Sequence, residues 1–144
     1  MHPYPHLYQV HASAAAEGVV TLGSAGLADI PCTPPPEFGG PEGYWSPETL
    51  LAGAIADCYV LSFRAVARAS KVDWTSIAVE VHGTLDKVEG VTRFTKFVTH
   101  AKLVVPAGTD RARAETALQK SEKVCLVSNS LNGERHLETE IVEG

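Results

Sequence analysis

The sequence predicts an α+β fold with mainly antiparallel strands, in a single domain that spans residues 1–144. Three observations lead to this fold class: short strand-like segments near the N-terminus, one long apolar helix, and two later segments in which apolar and polar residues alternate. With 144 residues the chain has the length of one domain. We therefore expect the element order β-β-β-α-β-β-α-β.

The N-terminal part of the chain predicts three short strands, at about residues 4–14, 18–23 and 27–31. The segment that follows reads CTPPPEFGGPEGYW. Proline has no backbone N–H to donate and glycine interrupts regular structure, so this segment is predicted to be a loop.

The central helix is predicted to begin directly after Ser46 and to end near residue 70. Serine is a favoured N-cap residue, because its hydroxyl can accept a hydrogen bond from a free backbone N–H of the first turn. Pro47 suits the first helical position, and Glu48 lies near the positive end of the helix dipole.

The first half of this helix reads LLAGAIADCYVLSF over residues 50–63, and its only clearly polar side chains are Asp57 and Ser62. A helix that is apolar on nearly every face is normally buried all round. One small chain can rarely surround such a helix, so we expect a second copy of the chain to cover it.

The remaining elements follow in order after the helix. The segments WTSIAVEVHGTLDK and RFTKFVTHAKLVVP alternate with the period of a half-buried strand, and residues 86–90 supply the turn between them. Thr109 or Asp110 caps a second helix, whose apolar residues recur at helical spacing up to Val124. A turn at residues 132–133 precedes a closing strand around residues 137–141.

Charge and composition exclude several classes of partner. Twelve Lys+Arg against seventeen Asp+Glu give a net charge of −5, which argues against nucleic acid. Residues 1–63 contain no Lys or Arg, so the basic region of a secretory signal is missing. No apolar run reaches the roughly 18 residues of a membrane span, and no Cys or His cluster has ligand spacing. We expect a cytoplasmic protein with no metal and no membrane partner.

Three cysteines, Cys32, Cys58 and Cys125, are too few for a disulfide scaffold. Cys58 lies in the middle of the apolar helix, where a free cysteine usually behaves as a small hydrophobic residue. Cys125 ends the second helix, directly before LVSNS, whose polar groups could cap and solvate a thiol. Any contact between Cys58 and Cys125 would be tertiary, because the two residues are far apart in the sequence.

Two segments, PPEFGGPEGYWSPETLLAGAIADCYVLSFRAVAR and EKVCLVSNSLNG, resemble the OsmC/Ohr family of osmotically inducible and organic hydroperoxide resistance proteins. The resemblance covers nearly the whole chain and implies the OsmC-like fold. That fold is an intertwined homodimer, in which mainly antiparallel sheets from two subunits wrap around two long central helices. The matching features are the Gly-Gly-Pro loop at residues 39–41, the helix entry Ser46-Pro47-Glu48, Cys58, and Cys125 with the following Ser128-Asn129.

The resemblance also implies a function, that of a thiol-dependent peroxidase for organic hydroperoxides in oxidative or osmotic stress defence, with no metal, flavin or other cofactor. Cys58 matches the peroxidatic cysteine, which becomes a sulfenic acid, and Cys125 matches the resolving cysteine, which closes a disulfide with it. A reducing thiol or a lipoylated protein would reopen that disulfide. The predicted catalytic residues are therefore Cys58, Cys125 and Glu48, which matches a glutamate that holds an activating arginine.

The source of positive charge near Cys58 stays open. A thiol in an apolar environment needs a cation to favour its reactive thiolate. The family takes this charge from an arginine in the N-terminal strands, but this chain has no arginine before Arg64. His6 or His11 on the first strand could supply this charge, although each is otherwise an ordinary strand residue. An arginine of either subunit could also supply it, although each is otherwise an ordinary surface charge. The candidate arginines are Arg64, Arg68, Arg111, Arg113 and Arg135.

Two other functions compete with the peroxidase. One is a dimer of the same fold that has no peroxidase activity and binds an apolar small molecule. The other is a structural stress-response dimer whose cysteines are only packed in its core. Oxidation of both thiols by an organic hydroperoxide would distinguish the peroxidase from these alternatives.

Overall fold

The computed structural model describes residues 1–144 and has the predicted α+β composition, with six strands and three helices. The order of the main elements also agrees with the prediction, and a short helix after Cys125 is added to it. A 3-10 turn at Pro36–Phe38 lies in the proline-rich loop. The elements are β1 (His11–Ser13), β2 (Val20–Gly23), β3 (Ile30–Cys32), α1 (Pro47–Ser70), β4 (Ser76–Val88), β5 (Val91–Val105), α2 (Arg111–Val124), α3 (Leu126–Asn129) and β6 (Glu134–Glu143).

The chain forms two compact units, residues 1–51 and residues 52–144. The boundary falls inside α1, so the first turn of this helix belongs to the N-terminal unit and the rest to the C-terminal unit. The division of the chain into a single domain of residues 1–144 stays a prediction.

The N-terminal unit is built on an antiparallel sheet in the order β1-β2-β3. The first strand is shorter than predicted, because β2 ends at Gly23, which pairs with His11, and leaves no partner for the residues before His11. The third strand lies later than predicted. Leu27 belongs instead to a turn, in which its N–H donates to the Ser24 carbonyl at 3.0 Å.

The start of α1 agrees with the prediction. The Ser46 hydroxyl accepts a hydrogen bond from the Thr49 N–H at 3.2 Å, and the Ser46 N–H donates to the Thr49 hydroxyl at 2.9 Å. This reciprocal pair is a capping box in which threonine takes the place of the usual glutamate or glutamine. It fixes where the helix begins and gives partners to two backbone N–H groups.

The C-terminal unit contains the second sheet, in the order β4-β5-β6. Strands β4 and β5 form the predicted antiparallel hairpin, whose turn is Glu89-Gly90 with φ angles of 50° and 80°. Positive φ at both turn residues matches the right-handed twist of the strands, and glycine adopts it without strain. Strand β6 pairs with β5 in parallel, which the sequence did not reveal, because the crossover through α2 and α3 returns it in the same direction.

The core of the C-terminal unit lies where α1, β5 and α2 pack together. Helix α1 buries one face within the chain, not its whole circumference, and the side chains of Ala54 and Leu61 on the opposite side are exposed. A single chain therefore does not surround α1, as the sequence analysis expected, and the second copy that would cover its exposed side stays a prediction. The buried residues of this core include Tyr59, Phe63, Val66 and Ala67 of α1, Ala101, Leu103 and Val105 of β5, and Ala114, Ala117 and Leu118 of α2.

Helix α1 is also long and apolar enough, by length and composition, to cross a membrane. Its 24 residues include an 18-residue window with a mean hydropathy of 1.6, of which 28% is buried. The sequence-based expectation of no membrane-spanning segment was based on the length of continuous apolar runs. Asp57 and Ser62 interrupt the apolar run in α1 but lower its mean hydropathy only slightly. The core helix of a soluble protein meets the same criterion, so this property alone does not assign a membrane location.

Candidate active site

The first predicted catalytic residue, Cys58, lies in the middle of α1 on the margin of its buried face. Its neighbour Tyr59 is fully buried in the core, whereas Cys58 itself is only half-buried. Its thiol is free. A free thiol in this position combines an apolar environment with access from outside the chain.

The second predicted residue, Cys125, occupies the junction between two helices. It is the C-cap of α2 and the N-cap of α3, with an extended backbone (φ −64°, ψ 102°). The end of α2 at this residue agrees with the sequence-based expectation, but the short helix after it was not predicted. Cys125 is completely buried and its thiol is free.

The fold brings the Cys58 thiol close enough to Cys125 to raise the pKa of Cys125. Burial is the main factor that raises the pKa of Cys125. Hydrogen bonds from the Ser128 side chain and backbone lower this pKa, and the adjacent Cys58 thiol raises it again. The net effect is to raise the pKa of Cys125, which favours its protonated thiol.

The junction that carries Cys125 is held by Arg135 on β6. The Arg135 Nε donates to Glu122 Oε1 at 2.8 Å, and one terminal nitrogen donates to the Glu122 carbonyl. The other terminal nitrogen donates to Asn129 Oδ1 at 2.7 Å. Glu122 and Asn129 stand on either side of Cys125 in the sequence, so one guanidinium group fixes both ends of the segment that bears the thiol.

Tyr59 connects α1 to α2 beside the two thiols. Its hydroxyl donates to the Leu118 carbonyl at 2.9 Å. Burial raises the pKa of Tyr59, and the negative charges of Glu122 and Glu115 and the Cys125 thiol raise it further. Tyr59 therefore stays a neutral hydrogen-bond donor that ties together the helices carrying Cys58 and Cys125.

No hydrogen bond joins a candidate cation of residues 52–144 to the thiol of Cys58 or Cys125. The influences on the pKa of Cys125 are burial, Ser128 and Cys58, and none of them is a cation. Arg64 and Arg68 are exposed on α1, and Arg111 donates to the Ile141 carbonyl at 2.7 Å. Arg135 is the arginine placed beside the Cys125 segment, where Glu122 pairs its charge.

The third predicted residue, Glu48, belongs to the N-terminal unit. It lines an apolar cavity there, and its Oε2 atom is buried without a hydrogen-bond partner. His6 and His11, the two candidate histidines, belong to the same unit, where the His6 ring nitrogen donates to the His2 carbonyl at 2.9 Å. No group of three or more His, Cys, Asp or Glu side chains is arranged to hold a metal ion.

Comparison with known proteins agrees with this fold. The family model described as OsmC-like protein matches residues 39–140, which is most of the chain. The chain belongs to the OsmC/Ohr family. The matched segment includes Glu48, Cys58 and Cys125, the three predicted catalytic residues.

Named relatives of this OsmC/Ohr protein cover most of its length. An organic hydroperoxide resistance protein of Xanthomonas axonopodis pv. citri (strain 306) is 31% identical over 137 residues, or 91% of this chain and 92% of the relative. The uncharacterized protein YmaD of Bacillus subtilis (strain 168) is 27% identical over 109 residues, or 74% of this chain and 73% of the relative. A solved OsmC-like protein of unknown function from Vibrio cholerae superposes with a TM-score of 0.85 at 19% identity, covering 94% of this chain and 99% of the other, which supports the fold.

Several residues around the thiols were not found from the sequence. Glu122 and Tyr59 carry no motif, and only their helical spacing from Cys125 and Cys58 could have indicated them. Arg135 was one of five candidate arginines, and nothing in the sequence separated it from the others. Its selection depends on the parallel pairing of β6, which brings it beside the end of α2.

Proposed function

We propose that this OsmC/Ohr protein takes part in the peroxide stress response as a thiol-dependent peroxidase that reduces organic hydroperoxides. The observation that carries the proposal is the proximity of a half-buried thiol, Cys58, to a buried thiol, Cys125. The Xanthomonas relative named for organic hydroperoxide resistance supports the same substrate class. The apolar surroundings of Cys58 favour a peroxide with an organic group over hydrogen peroxide.

The proposed reaction has two steps on the protein. The Cys58 thiolate attacks the outer oxygen of the hydroperoxide, the O–O bond breaks, and the alkoxide leaves and takes up a proton to become an alcohol. Cys58 is then a sulfenic acid. Cys125 attacks its sulfur, the Cys125 proton goes to the departing hydroxide as water, and a Cys58–Cys125 disulfide forms. A dithiol such as a reduced lipoyl group reopens the disulfide and is itself oxidised.

The difference between the two thiols supports these roles. The accessible one, Cys58, can meet a substrate from outside, whereas the buried Cys125 keeps its proton because burial raises its pKa. A resolving thiol that stays protonated does not compete for the peroxide. Glu48 is the third proposed catalytic residue, as a carboxylate that holds an activating cation.

The test is to titrate reduced protein with cumene hydroperoxide and to count free thiols, with mass mapping of the product. We expect a loss of two thiols per chain and a disulfide between Cys58 and Cys125, and the Cys32→Ser variant should react equally well. Cys58→Ser should lose no thiol, and Cys125→Ser should stop at a sulfenic acid that dimedone traps. Thiols that remain unreacted in the wild-type protein would remove the peroxidase proposal.

A homodimer is part of the proposal. Leu61 is 53% exposed on α1, and only 28% of the most apolar window of this helix is buried within one chain. A second copy that covers this side would remove apolar surface from water. Asp57, which is exposed on the same helix, favours a protein partner over a lipid environment.

The second candidate function is the binding of a small molecule by a protein of this fold without peroxidase activity. The apolar cavity beside Glu48 favours it, since a cavity with few polar groups is typical of small-molecule sites. Inert thiols together with a bound ligand would support this function over the peroxidase.

A further inference from the structure

Two histidines, His82 on β4 and His100 on β5, lie side by side on the exposed face of the second sheet. Glu80 pairs directly with His100, and His82 lies two residues beyond Glu80, so strand alternation puts these side chains on one face. The centroids of the two imidazole rings are 4.7 Å apart, and the ring planes make an angle of 50°. The His82 side chain is 63% exposed and that of His100 is 37% exposed, so a small ion can reach both from solvent.

A carboxylate holds one nitrogen of each ring. His82 Nε2 lies 3.3 Å from Glu80 Oε2, and His100 Nδ1 lies 3.0 Å from Oε2 of Glu138, which stands opposite His100 on β6. A carboxylate that accepts a hydrogen bond from one ring nitrogen fixes the tautomer and leaves the lone pair on the other nitrogen. The nitrogens left to act as ligands are therefore His82 Nδ1 and His100 Nε2.

The separation of the two rings fits a shared metal ion. An ion bound to an imidazole nitrogen at about 2.0–2.1 Å lies roughly 3.2 Å from the ring centroid. Two such rings at an angle of about 90–110° around one ion have centroids about 4.5–5.2 Å apart, and the observed 4.7 Å falls in this range. No third His, Cys, Asp or Glu is arranged with them as a ligand, so water would fill the other coordination positions.

We propose that His82 and His100 bind a divalent transition-metal ion, with Glu80 and Glu138 as the outer partners that orient the two rings. Imidazole suits zinc, copper and nickel, and copper binds such ligands most tightly. The two carboxylates also place negative charge beside the ion. The ligand spacing sought in the sequence could not find this pair, because its two members lie on different strands. The site uses neither Cys58 nor Cys125 and goes beyond the proposed peroxidase.

The test is calorimetric titration of tag-free, full-length protein with Ni²⁺ at pH 7.5, since Ni²⁺ does not oxidise thiols. Glu138→Gln should weaken binding by about tenfold, the cost of losing an outer carboxylate. His82→Gln and His100→Gln should each weaken it by more than that, because a direct ligand is lost. The matched control is His136→Gln on the same sheet, whose ring pairs with Glu134 at 3.4 Å and has no second imidazole beside it. This control should bind Ni²⁺ as the wild type does.

A Cys58→Ser, Cys125→Ser double variant should also bind Ni²⁺ as the wild type does, which separates this proposal from the fate of the peroxidase. Electron paramagnetic resonance of Cu²⁺ bound to that double variant should show two coordinated nitrogens, and one after His82→Gln is added. The proposal is overturned if Ni²⁺ does not bind, because the rings are then only stacked. An equal loss of affinity in His82→Gln and His136→Gln, or loss of the site in the double variant, would also overturn it.

Discussion

Arg135 on β6 and Glu122 on α2 form an ion pair with an Nε–Oε1 distance of 2.8 Å, and both side chains are largely buried. The same guanidinium reaches Asn129, so it spans the segment that carries Cys125. We expect Arg135→Ala to lower the free energy of unfolding by about 2 kcal/mol, because hydrogen bonds to a charged group are lost. We also expect peroxide-driven disulfide formation to slow by about tenfold, since the resolving thiol loses its fixed position.

The measurements for Arg135 are urea unfolding and the rate of disulfide formation in stopped-flow mixing with cumene hydroperoxide. Arg135→Lys should keep the positive charge but lose the simultaneous contact with Glu122 and Asn129. Its rate of disulfide formation should therefore lie between those of Arg135→Ala and the wild type. Sulfenic acid formation on Cys58, followed separately, should stay at the wild-type rate. An Arg135→Ala protein that closes its disulfide normally would show that this contact is only structural.

Ser128 favours the ionised form of Cys125. Its hydrogen bonds lower the pKa of Cys125 against the opposing effect of burial. We therefore expect the Ser128→Ala change to raise this pKa further, so that alkylation of Cys125 begins at higher pH than in the wild type. The measurement is the pH dependence of iodoacetamide labelling with peptide mapping, and Ser130→Ala, on the exposed side of the same segment, is the control. An unchanged pH profile for Cys125 would contradict the assigned role of Ser128.

The stability of the protein at alkaline pH depends on the ionisation of Tyr59. Tyr59→Phe removes its hydrogen bond to Leu118 and should lower the free energy of unfolding by about 1 kcal/mol at pH 7. The pKa of Tyr59 is raised above the ordinary value of 10.0, so above pH 10 the unfolded chain releases a proton that the folded chain keeps. Wild-type stability should then fall as pH rises, and the deficit of Tyr59→Phe should narrow. Urea unfolding from pH 7 to 11 checks this, with exposed Tyr8→Phe as a control that should match the wild type.

The exposed side of α1 tests the homodimer. Introducing Asp at Leu61 or Ala54 would place a charge in the proposed interface, and we expect dissociated, aggregated or unfolded protein. Leu61 and Ala54 are both exposed in a single chain, so a monomer that keeps this side of α1 in solvent would tolerate either substitution. The measurement is light scattering after size-exclusion chromatography, with Ala112→Asp on the exposed side of α2 as the control. Well-folded monomers in the wild type and all variants would rule out the homodimer.

Leu126 occupies a position whose backbone is suited to proline. It is the first residue of α3, follows the extended Cys125 and is 69% exposed. Proline is favoured at the first helical position, and it prefers an extended residue before it. We expect Leu126→Pro to leave the thiols in place and to stabilise the protein by about 0.5 kcal/mol, because the unfolded chain loses freedom. Thermal unfolding and the thiol count after peroxide treatment measure both effects, and a marked loss of stability would mean that this backbone does not accept proline.

Much of the fold followed from local patterns. Ser46 fixed the start of α1 because capping depends only on neighbouring backbone groups, and Asp110 did the same for α2, where its carboxylate accepts from the Arg113 N–H at 3.1 Å. Residues 97–105 showed their buried face through alternation alone. Cys58 and Cys125 were identified through the resemblance to the OsmC/Ohr family, since neither has a local signature of its own.

The sequence by itself determined where the two long helices and the main hairpin lie, because these depend on hydrogen bonds and side-chain periodicity within short segments. Only the tertiary structure decided which distant groups meet. The parallel pairing of β6 placed Arg135 beside Glu122, and the packing of α1 against α2 joined Tyr59 to Leu118. The approach of the His82 and His100 rings likewise became visible only in three dimensions. A contact between residues far apart in sequence depends on how whole elements pack, which no local pattern records.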